Sequence, residues 1–135
     1  MKKHTLNDEV KIFYITAKSF PDGIQEAYDT LDKKLGITDG RTFYGISYME
    51  DGKIIYKAAV AESFDGEATQ LGCETMIVSK GNYLTETIMN WRENMAAFSP
   101  SFQKLLDTPN LDRNSFCVEW YKSDEEVMCM VKLVD

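Results

Sequence analysis

The chain has a single histidine, His4. That excludes histidine-based catalytic triads, H-E-x-x-H sites and multi-histidine metal centres built from this chain alone. Basic residues are in the minority: 15 Lys+Arg against 22 Asp+Glu leave a formal charge of −7. A phosphate-backbone binder needs a basic stripe, so nucleic acid is not an expected partner. Lys2-Lys3-His4 reads as a tail rather than a basic patch, and Asp124-Glu125-Glu126 as a solvated turn. Cysteine is scarce too: Cys73, Cys117 and Cys129 are an odd number with no C-x-x-C. They specify neither a disulfide framework nor a zinc cluster, and unpaired thiols fit a reducing compartment. No apolar run approaches the roughly 18 residues of a membrane span. Asp8 and Glu9 interrupt the N-terminus before a signal-peptide core forms. The expected setting is the cytoplasm, with no membrane partner and no cofactor.

What remains is ordinary globular composition. The 135 residues are 44% hydrophobic and 27% charged, which suits one α+β domain with a real core. Residues 10–17 are rich in β-branched and aromatic side chains and predict a strand. Ile24, Ala27, Tyr28, Leu31 and Leu35 fall on one helical stripe, which Gly36 is placed to end. Residues 42–49 and 53–61 predict two strands joined at Asp51-Gly52, a dipeptide suited to positive φ. A connector over 63–72 leads to a strand over 74–84 with a break or bulge at Gly81. Ile88, Trp91 and Met95 then suggest a helix. Ser99-Pro100 suggests the cap and first position of a second one, with Phe102, Leu105 and Leu106 buried. Residues 115–121 and 126–134 predict a closing hairpin.

The order β-α-β-β, connector, β-α-β-β reads as a duplication, with repeats over 9–62 and 73–135. A shift of 73 lays 42–62 on 115–135 without a gap. Phe43 then meets Phe116, Tyr48 meets Tyr121, and Asp51 meets Asp124. Two such modules predict a pseudo-twofold α+β arrangement with a cleft where the two halves meet.

Within 116–121 the strand period separates Phe116, Val118 and Trp120 from Cys117, Glu119 and Tyr121. The first set is expected under the helices. The second would face the ligand, with Tyr44, Ile46 and Tyr48 on the equivalent face of the other repeat. A carboxylate among aromatics suits a large, flat, apolar cation: the rings supply cation–π attraction and the carboxylate neutralises the charge. An apolar surround would also raise the pKa of Glu119 and fit it for acid–base work. Read alone, Glu119 is equally an exposed strand carboxylate, the tyrosines are ordinary sheet residues, Trp91 is core, and the cysteines are small buried hydrophobes.

Gly81-Asn82-Tyr83 and Glu119-Trp120-Tyr121 look like the G-x-Y and E-x-Y motifs of a known family. The whole chain resembles the GyrI-like small-molecule-binding domain, the effector-binding domain of many bacterial transcription activators of the AraC and MerR classes. The resemblance implies a curved antiparallel sheet with helices on one side and a ligand cleft between the modules, with Glu119 at its floor, Tyr121 as its motif partner, and Tyr83 nearby. Tyr44, Tyr48 and Trp91 join the expected site from parity and helical spacing. The helix-turn-helix of those activators is absent, so the chain resembles a standalone member that could act through a separate regulator protein or as a homodimer. The leading expectation is a protein that senses or sequesters bulky apolar cations. The alternatives are a hydrolase of cyclopropane-containing toxins using Glu119, and a protein–protein inhibitor module acting on gyrase.

Overall fold

The computed structural model describes residues 1–134; Asp135, the end of the second expected repeat, lies outside the described residues. The fold is α+β, built from antiparallel strands and helices in two compact units. One unit is Val10–Val78; the other is Met1–Glu9 together with the chain from Ser79.

In the first of these, β2 (Val10–Thr16), β3 (Phe43–Glu50), β4 (Lys53–Ala61) and β5 (Glu74–Val78) form a sheet in the order β3-β4-β2-β5. The β3–β4 hairpin closes from Glu50↔Lys53 through Asp51 and Gly52, at φ 51° and 77°. Both turn residues therefore sit in the left-handed region that matches the strand twist. Helix α1 (Ile24–Leu35) lays Ala27 and Leu31 on one sheet face, where Leu31 joins Phe13, Val60 and Ala68 in a buried cluster. Gly36 ends the helix at φ 73°, as the sequence predicts. Within the expected connector, Glu67–Gln70 forms a single helical turn, α2.

The other unit departs further from expectation. Lys2-Lys3-His4, expected as a tail, belongs to a strand, β1 (Lys2–Leu6), paired along β6 (Gly81–Met89). The expected strand over 74–84 is two strands, β5 and β6, separated before Gly81 at φ 130°. Ile88 does not start a helix; it pairs with Val127 inside the sheet. Trp91–Glu93 and Met95–Ala97 are short 3-10 turns, and Met95 is exposed. The spacing Ile88, Trp91, Met95 mimics a helical stripe only because a strand end and two tight turns follow one another.

Helix α3 (Phe98–Leu106) begins one residue before Ser99, with no side-chain cap, so Pro100 is its third residue. The first-turn N–H groups have no intrahelical partner, so a proline costs nothing there. Its buried residues are Ser101 and Leu105. It covers a sheet in the order β1-β6-β8-β7, where β7 is Cys117–Tyr121 and β8 is Glu126–Lys132.

The two hairpins do not superpose by a gapless shift. In β7–β8, Tyr121 pairs with Val127, and the Lys122 N–H donates to Glu126 O at 3.0 Å. The turn therefore spans 123–125, one residue longer than Asp51-Gly52. A shift of one residue exchanges the two faces of a strand. Cys117, Glu119 and Tyr121 consequently lie on the α3 side of their sheet, with Cys129, Val127 and Leu105. Val118 and Trp120 take the opposite face, the reverse of the sequence expectation. Tyr44, Ile46 and Tyr48 lie on the face of β3 away from α1, because Phe43, one step out of phase, packs against the α1 cluster.

Candidate functional site

The row beneath α3 starts from strand register. Glu119 on β7 sits opposite Cys129 on β8, and Cys129 opposite Glu86 on β6. Directly opposed residues share a face, so two carboxylates and a thiol lie side by side. Glu119 is only 8% exposed. The Tyr121 hydroxyl, two residues along the same face, donates to Glu119 Oε1 at 2.6 Å. This is a short bond in a buried setting. The Trp91 ring meets Tyr121 edge-on at 4.9 Å between centroids, and its indole N–H donates to Ser123 O at 3.3 Å. Arg92 lies over Trp91 at 4.5 Å and within 3.7 Å of Asp124.

Glu86 has a different environment from Glu119. Lys104 of α3 pairs with it at 3.2 Å, the N-terminal amine stands at 3.9 Å, and the Ser101 hydroxyl donates to it at 3.4 Å. Its carboxylate thus pins α3 to β6. Glu119 accepts from the phenol of Tyr121.

Cys129 is 0% exposed, and burial pushes its thiol far above the ordinary range, with Glu119, Glu86 and Cys117 adding in the same direction. The thiolate is the reactive form, so this thiol is chemically quiet. Half-buried Cys73 is raised by burial but drawn down by Lys34. Under native conditions Cys73 is expected to react with iodoacetamide more than tenfold faster than Cys129. Peptide mapping by mass spectrometry checks this; equal rates would show that Cys129 is not sealed beneath α3.

The structure thus brings Glu119, Tyr121 and Trp91 together and places Tyr83 elsewhere. Tyr83 is on the other face of the same sheet, 1% exposed, with its hydroxyl donating to Ser79 O at 2.7 Å. Burial, and then the charge of Asp112, push its pKa up to about 12. Tyr44 and Tyr48 belong to the Val10–Val78 unit. Tyr44 is buried and its phenol raised by desolvation. Sequence reading missed Glu86, because a helix was expected where β6 continues. The lysine and serine of α3 that hold Glu86 carry no motif.

An open depression of about 560 Å³ in the Val10–Val78 unit is lined by residues including Lys11, Tyr14, Glu62, Cys73 and Glu74. It contains none of the expected site residues. Among the described residues no group of three or more His, Cys, Asp or Glu side chains converges as a metal ion requires. No helix among them is long and apolar enough to cross a membrane.

No protein-family model matches the chain, and no curated protein matches it by sequence. Solved structures do match its fold over nearly its whole length. An integron cassette protein from the mobile metagenome of Vibrio cholerae aligns with TM-score 0.72 and 16% identity, covering 98% of this chain and 94% of that one. The protein SAV2435, solved bound to tetraphenylphosphonium, aligns with TM-score 0.62 and 13% identity, covering 99% and 93%. A hydrolase from Listeria innocua aligns with TM-score 0.60 and 13% identity, covering 98% and 90%. At these identities the likeness establishes the fold.

Proposed function

We propose that this chain binds bulky apolar organic cations, as a GyrI-like sensing or sequestering module, with Glu119 as the charge-recognising group. The observation that carries this reading is a buried carboxylate that meets the phenol of Tyr121 inside an aromatic and aliphatic cluster. A buried carboxylate attracts an incoming cation strongly, because low dielectric strengthens charge interactions. Tyr121 orients the carboxylate, and Trp91 adds an aromatic face beside it. The fold likeness to a protein solved with tetraphenylphosphonium supports this ligand class.

Because only 8% of Glu119 is exposed, ligand contact must displace side chains that now cover it. Trp91 stands next to Tyr121 and is the natural reporter. Titration with tetraphenylphosphonium is expected to give a saturable change in tryptophan fluorescence. Glu119→Gln keeps the shape and still accepts the Tyr121 bond, yet removes the charge. It is expected to weaken binding about 30-fold, or roughly 2 kcal/mol. Equal affinity of the wild type and the variant, at matched stability, would remove Glu119 from charge recognition.

A further inference from the structure

The face of the Val10–Val78 sheet that looks away from α1 carries a second aromatic arrangement, and it already holds a cation. Lys57 on the central strand β4 lies opposite Thr16 of β2 and opposite Ile46 of β3. Tyr14 and Tyr48 are the diagonal neighbours two residues further along those strands, on the same face. The Lys57 ammonium sits 4.2 Å from the Tyr14 ring centroid and 5.2 Å from that of Tyr48. The Tyr14 hydroxyl donates to Glu74 Oε2 of β5 at 3.0 Å, so a carboxylate completes the group. Two rings and an acid are the components of an organic-cation site.

We propose that Lys57 is the resident occupant of a cation site formed by Tyr14, Tyr48 and Glu74, and that a quaternary organic cation binds there by displacing it. The ligand class rests on the reading of the chain as a cation binder; the site itself is separate from Glu119. A primary ammonium is strongly hydrated and has three N–H donors to satisfy. Burial opposes the Lys57 charge, and hydrogen bonding to the Tyr48 and Tyr14 side chains more than offsets that, so its hold on the seat depends on N–H donors as well as on the rings. A quaternary ammonium or phosphonium has no N–H to lose and spreads its charge over carbon, so the same rings favour it. Lys57 is half-exposed on a flexible four-carbon stem and has solvent to swing into. In its seat it lowers the affinity for every incoming cation and raises selectivity for those that interact most strongly with the rings.

The test uses phenyltrimethylammonium, small enough for a two-ring site, against the full chain. Lys57→Met keeps an apolar stem and vacates the cation position. It is expected to bind the probe about tenfold more tightly than the wild type, and adding Tyr14→Leu should abolish the gain. The same gain should persist in a Glu119→Gln background, because the two sites differ. An unchanged or weaker affinity in Lys57→Met overturns the proposal even if Glu119→Gln weakens tetraphenylphosphonium binding. A gain in Lys57→Met with no effect of Glu119→Gln leaves this proposal standing and removes the Glu119 reading. A second measurement needs no variant. The Lys57 Cε protons in the wild type are expected to be shifted upfield by the two rings, and to move back as the probe binds. Ring-shifted protons that stay fixed at saturating probe overturn displacement.

Discussion

Arg41→Ala is expected to destabilise the chain by about 3 kcal/mol near neutral pH, the lower end of what breaking a buried ion pair costs. The Arg41 guanidinium grips Glu67 with both forks, at 2.8 and 2.9 Å, and also donates to Ala61 O at 3.1 Å. The Ser63 N–H donates to Glu67 Oε1 at 2.8 Å. Glu67 is 7% exposed, so truncating the arginine strands a buried carboxylate. The cost is that of the orphaned charge rather than the net worth of the pair. Glu67 opens α2, a four-residue turn too short to hold itself, and the ion pair is what fixes it against the 61–63 backbone.

The pH dependence has a definite sign. Hydrogen bonding to Arg41 lowers the Glu67 pKa, burial opposes it, and the Ser63 N–H lowers it further, for a net fall below the ordinary 4.5. A group depressed in the folded state contributes stability that is present above its unfolded pKa and lost as pH falls through its folded one. The gap between wild type and Arg41→Ala should therefore be full near pH 7 and shrink as the solution is acidified below about pH 4. Urea unfolding at both ends of that range measures it. A gap under about 0.5 kcal/mol at neutral pH would show that the fork is worth no more than a surface pair.

The sequence legibly encodes whatever is local. The α1 stripe, the Gly36 stop and the Asp51-Gly52 hairpin are short-range consequences of side-chain spacing and φ preference, and they stand. Alternation in β7 correctly groups Cys117, Glu119 and Tyr121 on one face. Which face the helix covers is not local, because it depends on how many residues the second hairpin spends in its turn. One extra residue at 123–125 reverses the equivalence with β3, so Tyr44 and Tyr48 align with the wrong side of β7. The continuation of β6 through Ile88 is invisible for a similar reason. A strand buried by tertiary packing can carry Thr85, Glu86 and Thr87 in a row, which weakens the periodic signal. With the strand ended at Leu84 and a helix read from Ile88, Glu86 could not be placed beside Cys129. The Lys57 arrangement needs three strands in register and leaves no motif along the chain.

Leu105→Ala is expected to cost about 3 kcal/mol, within the range for truncating a fully buried leucine. Leu105 is 0% exposed and packs in the cluster of Ile88, Leu111, Val127, Cys129 and Val131. Helix α3 has nine residues, too few to persist in water on intrinsic propensity. Its hold on the sheet is therefore Leu105 together with the Ser101 and Lys104 contacts to Glu86. The polar contacts are half-exposed and weaker, because Lys104 is largely solvated. Removing the leucine should loosen the helix over the Glu119–Cys129–Glu86 row more than it alters the row itself. Cys129 labelling reads this directly, because the thiol reacts only when its cover opens. About 3 kcal/mol shifts an opening equilibrium roughly 100-fold, so iodoacetamide should modify Cys129 about 100-fold faster in Leu105→Ala than in the wild type. Lys104→Ala should accelerate it only slightly. If the two variants accelerate labelling equally, the salt bridge rather than the leucine is the latch, and the cover over Glu119 is electrostatic in origin.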